Sequence, residues 1–139
     1  MKQLFFAGFI IAAFFQTALS QDTWQNYYRS KDLEINYKRT ECHDPANGIH
    51  KKIVVFQFVN LTGKMLSVAF ERQMWYNGKC TGCDHSPEHQ SGIRLAPHQT
   101  AEGSCENKTK SLYIIDQMKG GSSTLTKFEL ANIKILIAQ

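Results

Sequence analysis

Apolar and polar residues alternate with a period of two along most of the chain beyond residue 30, the pattern of half-buried β-strands. Leu33-Glu34-Ile35-Asn36-Tyr37-Lys38 alternates cleanly. Ile53 to Val59 is almost continuously apolar and rich in Val, Ile and Phe, which predicts a central strand covered on both faces. Further on, Leu66, Val68, Phe70, Met74 and Tyr76 share one face, with Arg72 the exception, while Ser67, Glu71 and Gln73 share the other. The short, glycine-containing turn Asn60-Leu61-Thr62-Gly63-Lys64 joins these last two strands as a hairpin.

Asn77-Gly78 then ends the strand with a strong turn signal. A polar stretch from Lys79 to Ser91 separates it from a short strand, Ile93-Arg94-Leu95, which stops before Pro97 because proline cannot donate to a ladder. His98 to Cys105 is a weaker strand candidate, and Leu112 to Met118 is another strand. The final strand, Lys127 to Ile137, carries Phe128 and Leu130 on one parity but Ile133, Ile135 and Ile137 on the other, so a bulge is expected near Ala131-Asn132. Helical spacing occurs only at Thr23 to Ser30, where Trp24, Tyr27 and Tyr28 fall at i, i+3 and i+4. Short strands at this spacing predict an all-β fold: an antiparallel β-sandwich of about seven strands, Ig-like or similar.

Residues 1–20 have the three regions of a secretory signal peptide. Lys2 is the positive n-region, Leu4 to Phe15 is an apolar run, and Ala18-Leu19-Ser20 offers small residues for cleavage before Gln21. The run ends at Gln16 and Thr17, short of the roughly 20 apolar residues a spanning helix needs. Residues 21–139 then form one domain, long enough to bury a core. The expectation is a secreted or periplasmic protein with no transmembrane segment after cleavage. A net charge of +4 is spread over scattered bases such as Lys51, Lys64, Arg72, Lys79 and Arg94, so nucleic acid is not an expected partner.

Four cysteines, Cys42, Cys80, Cys83 and Cys105, all lie in the mature part. In an exported chain an even number favours two disulfides. If consecutive strands alternate direction, all four reach one end of the domain, together with His43, Asp44, His50, His85 and His89, while His98 lies at the other. Three pairings are open, and cross-links of Cys42 and Cys105 to Cys80 or Cys83 are expected because they close long loops.

The alternative is zinc. Cys80, Cys83, His85 and His89 are spaced Cys-x₂-Cys-x-His-x₃-His, with ligands that tetrahedral zinc prefers. Against it, an oxidising compartment turns such thiols into disulfides, and Pro87 sits inside the segment. A redox role for Cys80-x-x-Cys83 lacks the helix N-terminus that activates such a pair.

Other chemistry is sparse. There is no Gly-x-Ser-x-Gly elbow or glycine-rich phosphate loop, and Glu71 and Glu129, the nearest pair of acids for glycoside hydrolysis, read as exposed strand residues. Asn60-Leu61-Thr62 and Asn107-Lys108-Thr109 are glycosylation sequons. Tyr76 shares the buried parity, whereas Trp75 shares the outer one and is the candidate contact residue. No cofactor other than the alternative zinc is expected. These features point to a non-enzymatic binding or structural module that presents loops or edge strands to a cell-surface, matrix or protein partner.

Overall fold

The computed structural model describes residues 23–106, 108–118 and 120–139, so the expected signal peptide lies outside the described residues. The period-two segments become the strands β1 (Gln25–Arg29), β2 (Leu33–Asp44), β3 (Ile49–Asn60), β4 (Leu66–Tyr76), β5 (Lys79–Thr81), β6 (Gln90–Leu95), β7 (Thr100–Glu102), β8 (Tyr113–Met118) and β9 (Leu125–Ile137). They form two antiparallel sheets. In the first, β1, β2 and β3 lie side by side, and β7 and β8 follow one another along the far edge of β3. In the second, β9 pairs with one edge of β4, while β6 and β5 occupy the lower and upper parts of its other edge.

Side chains from both sheets meet in one core. Leu33, Ile35, Val54, Phe56, Phe58 and Ile114 come from the first sheet, and Leu66, Val68, Phe70, Met74, Leu95, Leu125 and Leu130 from the second. Phe58 stacks on Phe70 at 5.6 Å, and Phe56 meets Phe128 edge-on at 5.5 Å. Each such side chain contributes roughly 1.5–3 kcal/mol on burial, so this face specifies the register. Ile53 and Val55 point to the opposite side of β3, where with Cys42 they form a small second cluster covered by Trp24 and Tyr113.

Turn chemistry explains the connections. Asn77 and Gly78 have φ of 50° and 80°, the left-handed pair that a two-residue hairpin of type I′ requires between β4 and β5. In β9 the register slips so that Ala69 faces Lys134 and Glu71 faces Ala131, with Asn132 at φ 53°. That bulge turns Phe128 and Leu130, then Ile133 and Ile135, toward the same core.

Two expectations need correction. Thr23 to Ser30 is not a helix: it contains β1, whose register shifts between Asn26 and Tyr28. The irregularity lets Tyr27 and Tyr28 both pack on the core, which imitates helical spacing in the sequence. The described residues hold nine strands rather than about seven, because β1 is a strand and a three-residue strand, β5, forms inside the polar stretch after Asn77-Gly78.

The two sides where the sheets meet differ. On one, the Tyr27 hydroxyl accepts the Leu130 amide of β9 at 2.8 Å and the ring stacks on Phe128 at 5.9 Å, tying β1 to β9. On the other, the 3-10 turn Lys110–Leu112 bridges the sheets: Ser111 Oγ donates to the Gly92 carbonyl at 2.8 Å, and Arg72 Nη1 donates to the Lys110 carbonyl at 3.1 Å. Above that bridge, β5 and β8 leave a cleft between them.

Candidate functional site

β4 supplies the centre of the cleft. Its inward positions run Leu66, Val68, Phe70, Arg72, Met74 and Tyr76, and Arg72 alone among them is charged. Its neighbours Phe70 and Met74 on that face are buried in the core, and Arg72 itself is half-buried. Desolvation lowers its pKa from the ordinary arginine value. Its Nε is enclosed and has no hydrogen-bond partner among the described residues.

The cleft holds about 430 Å³. Met74, Tyr76, Tyr113, Ile114 and Ile115 line it with apolar and aromatic surface, and Thr81, Glu88, His89 and Lys110 add polar groups. The Tyr76 hydroxyl donates to the Ile115 carbonyl at 2.8 Å, and burial raises its pKa. Among the described residues no carboxylate pairs with Arg72: Glu88 Oε1 lies 3.4 Å from His89 Nε2, and Asp116 is paired with Arg39.

The β5 side of the cleft is held by a tight contact. Gly82 has φ of 96°, and a Cβ placed there would lie 2.3 Å from the Arg72 carbonyl oxygen and 3.2 Å from the His89 ring. Only glycine lets this loop press against β4. Cys80 and Cys83 bracket it and are disulfide-bonded, with Cα atoms 5.9 Å apart.

The other disulfide joins Cys42 and Cys105, with Cα atoms 5.5 Å apart. The expected cross-links between Cys42 or Cys105 and Cys80 or Cys83 are therefore corrected. Both pairs lie toward the same end of the strands, but Cys42 faces the outer side of the first sheet and Cys80 sits in the second, so the core separates them. Beside Cys42–Cys105 a second hollow of about 410 Å³ is lined by His43, Asp44, Lys51, Lys108 and Tyr113 among others.

The zinc candidates are not gathered. Cys80 and Cys83 are bonded to one another, His85 Nδ1 meets Glu71 Oε2 at 2.7 Å, and His89 turns to Glu88. Among the described residues no group of three or more His, Cys, Asp or Glu side chains stands ready for a metal. His43 and His50 pair across β2 and β3 at 2.8 Å, away from the cleft. His98 lies beside the β3–β4 turn, donating its amide to the Thr62 carbonyl.

Trp75 is on the outer side of β4, half-buried, with Lys127 Nζ 4.5 Å from its ring centroid. One face of this candidate contact residue is thus occupied. Glu71 and Glu129 do not face one another: Glu129 lies opposite Gln73, and Glu71 opposite Ala131. Asn60, the first glycosylation candidate, ends β3. It is 1% exposed, and its Nδ2 donates to the carbonyls of Lys64, Leu95 and Ala96. Asn107 lies outside the described residues.

The sequence carried one signal for the cleft, the charge of Arg72 at an inward position. Ile114 and Ile115 reach it from the other sheet and Lys110 from the turn that bridges the sheets, which no local pattern announces. Compared with known protein families, curated proteins and solved structures, the chain matches none.

Proposed function

We propose that the chain is an exported, disulfide-stapled antiparallel β-sandwich that acts as a binding module and receives its ligand in the cleft between β5 and β8. The shared core of two antiparallel sheets supports the sandwich reading. Two cysteine pairs at bonding distance suit an oxidising compartment, in keeping with the signal-like residues 1–20. Among the described residues no helix is long and apolar enough to cross a membrane.

The observation that carries the proposal is Arg72. Buried charges are ordinarily paired, because leaving one without a partner costs stability. Arg72 is inward, half-buried and short of hydrogen-bond acceptors, in a cleft within the usual volume for small ligands, about 300–1,000 Å³. Its surroundings support holding a ligand: aromatic and polar groups share the lining, and the one histidine is turned to Glu88.

A thermal-shift panel of small anions and neutral compounds on the oxidised protein tests this. At least one anion should raise the melting temperature, and Arg72→Gln should abolish that rise. A panel without any stabilising compound, or a shift unchanged by Arg72→Gln, would refute the assignment. Export is tested separately: protein recovered outside the cytoplasm should begin at Gln21.

A further inference from the structure

Resting on that reading of the cleft, we infer that its ligand is a small organic monocarboxylate with an apolar body, held by the Arg72 guanidinium. A guanidinium carries five N–H donors in a planar fork that matches a carboxylate bidentately. Arg72 commits Nη1 to the Lys110 carbonyl, and with Nε enclosed by the protein the terminal N–H groups are the ones left to meet a ligand. A carboxylate brings an acceptor for those terminal N–H groups and the negative charge that Arg72 lacks among the described residues.

The walls define the rest of the ligand. Tyr76 and Tyr113 offer ring surface, with Met74 and Ile114 buried behind them at 8% and 1% exposed, which favours an aliphatic or aromatic body over a hydrated one. The charge of the surroundings favours a single negative charge. Glu88 lines the same cleft, so a dianionic phosphate would leave an unbalanced negative charge beside it. Lys110, at the mouth, is an exposed side chain whose ammonium draws anions inward without being desolvated.

The geometry also explains why a charge stands in a row of core residues. Any apolar residue at position 72 would continue the pattern of Phe70 and Met74. Arginine there sacrifices local burial for a directional anion contact at the edge of the core, the kind of local conflict that functional sites display.

The test is a titration of the isotopically labelled, oxidised protein with octanoate, octanamide, acetate and inorganic phosphate, followed by backbone amide shifts. Octanoate should bind saturably, with the largest shifts at Thr81, His89, Tyr113 and Ile114. Octanamide, which keeps the chain and loses the charge, and acetate, which keeps the charge and loses the chain, should each bind at least about tenfold more weakly. Arg72→Gln should weaken octanoate by roughly tenfold to a hundredfold, the worth of a charge-assisted hydrogen bond, with its amide spectrum otherwise that of the folded protein.

Equal binding of octanamide, or shifts centred on another surface, overturns the inference. If phosphate binds in an Arg72-dependent way and octanoate does not, the carboxylate assignment fails while the cleft reading stands. If none of the four probes moves the cleft amides of the folded wild-type protein, both fail. The wild-type titration alone decides the location of binding, so the conclusion survives even if the variant does not fold.

Discussion

Asn60 offers the sharpest test of how the chain is assembled. It is the last residue of β3 and is 1% exposed. Its Nδ2 donates to the carbonyls of Lys64 at 2.7 Å and Ala96 at 2.9 Å, with a longer contact to Leu95 at 3.3 Å. Its Oδ1 accepts from the amide and hydroxyl of Thr62, at 2.9 and 2.8 Å. One amide thus ties the β3–β4 turn to the chain leaving β6. In Asn60→Ala, four short hydrogen bonds vanish and buried carbonyls are left facing a void. At about 1 kcal/mol net per bond, discounted for water entering near the turn, the loss is about 3–4 kcal/mol. That is a large share of a typical domain stability of about 5–15 kcal/mol. Urea unfolding followed by tryptophan fluorescence measures it, with the midpoint falling and the slope unchanged. Asn60→Asp adds a signature of sign. Its carboxylate faces three carbonyl oxygens and its folded pKa is raised, so the variant should be weakest at neutral pH and recover toward about pH 4. A loss under about 1 kcal/mol in Asn60→Ala, or a glycan found on Asn60 in the folded protein, would contradict this reasoning.

The two disulfides should contribute unequally. Cys42–Cys105 spans a separation of 63 residues and Cys80–Cys83 only 3, so loop-closure entropy assigns about 4 kcal/mol to the first and about 2 kcal/mol to the second. Paired Cys→Ala variants in denaturant check the order, and the reverse order would contradict the pairing. Acid should destabilise the fold through Glu71, whose pKa is lowered chiefly by the hydrogen bond from His85, with Asp44 and Asp84 lowered by their own hydrogen bonds. A depressed carboxylate adds stability above its unfolded pKa, near 4, that is lost as pH falls through the folded value. Glu71→Gln should therefore flatten the acid limb of the stability curve, and an unchanged limb would rule that carboxylate out. Gly82→Ala should cost about 2–3 kcal/mol, since φ of 96° is strained for alanine and its Cβ would meet the Arg72 carbonyl, and it should also lower ligand response at the cleft. A neutral effect in thermal melts would mean that the loop has room to move.

Much of the strand pattern was legible because burial on one face imposes strict alternation. The change of parity in the last strand announced the bulge that Asn132 makes, and Asn77-Gly78 announced its hairpin. The first strand was hidden by its own irregularity: a shift at Asn26/Tyr28 lets adjacent tyrosines share a side, which copies a helical period. β5 has no apolar alternation and exists because the turn before it folds Cys80 back against Trp75. Cysteine partners were unreadable for a related reason. Direction along the strands placed the cysteines toward one end, but which sheet each belonged to, and which side of it, depended on packing. The cleft was half legible. Arg72 broke the alternation of β4, yet its companions come from β8 in the opposite sheet and from the bridging turn Lys110–Leu112, and only the closed fold brings them together.

A ligand-binding cleft requires that Arg72 be kept for a ligand and not for the fold. Thermal melting of Arg72→Met, which keeps an unbranched chain as far as the position of Nε and removes the guanidinium and its charge, measures this directly. Without ligand, the variant should melt at or above the wild-type temperature, since an unpaired half-buried cation gives way to a hydrophobe beside Phe70 and Met74, and octanoate should no longer raise it. A variant that melts several degrees below wild type, or that octanoate still stabilises as strongly, would show the guanidinium to be a structural brace for Lys110 and would contradict the account.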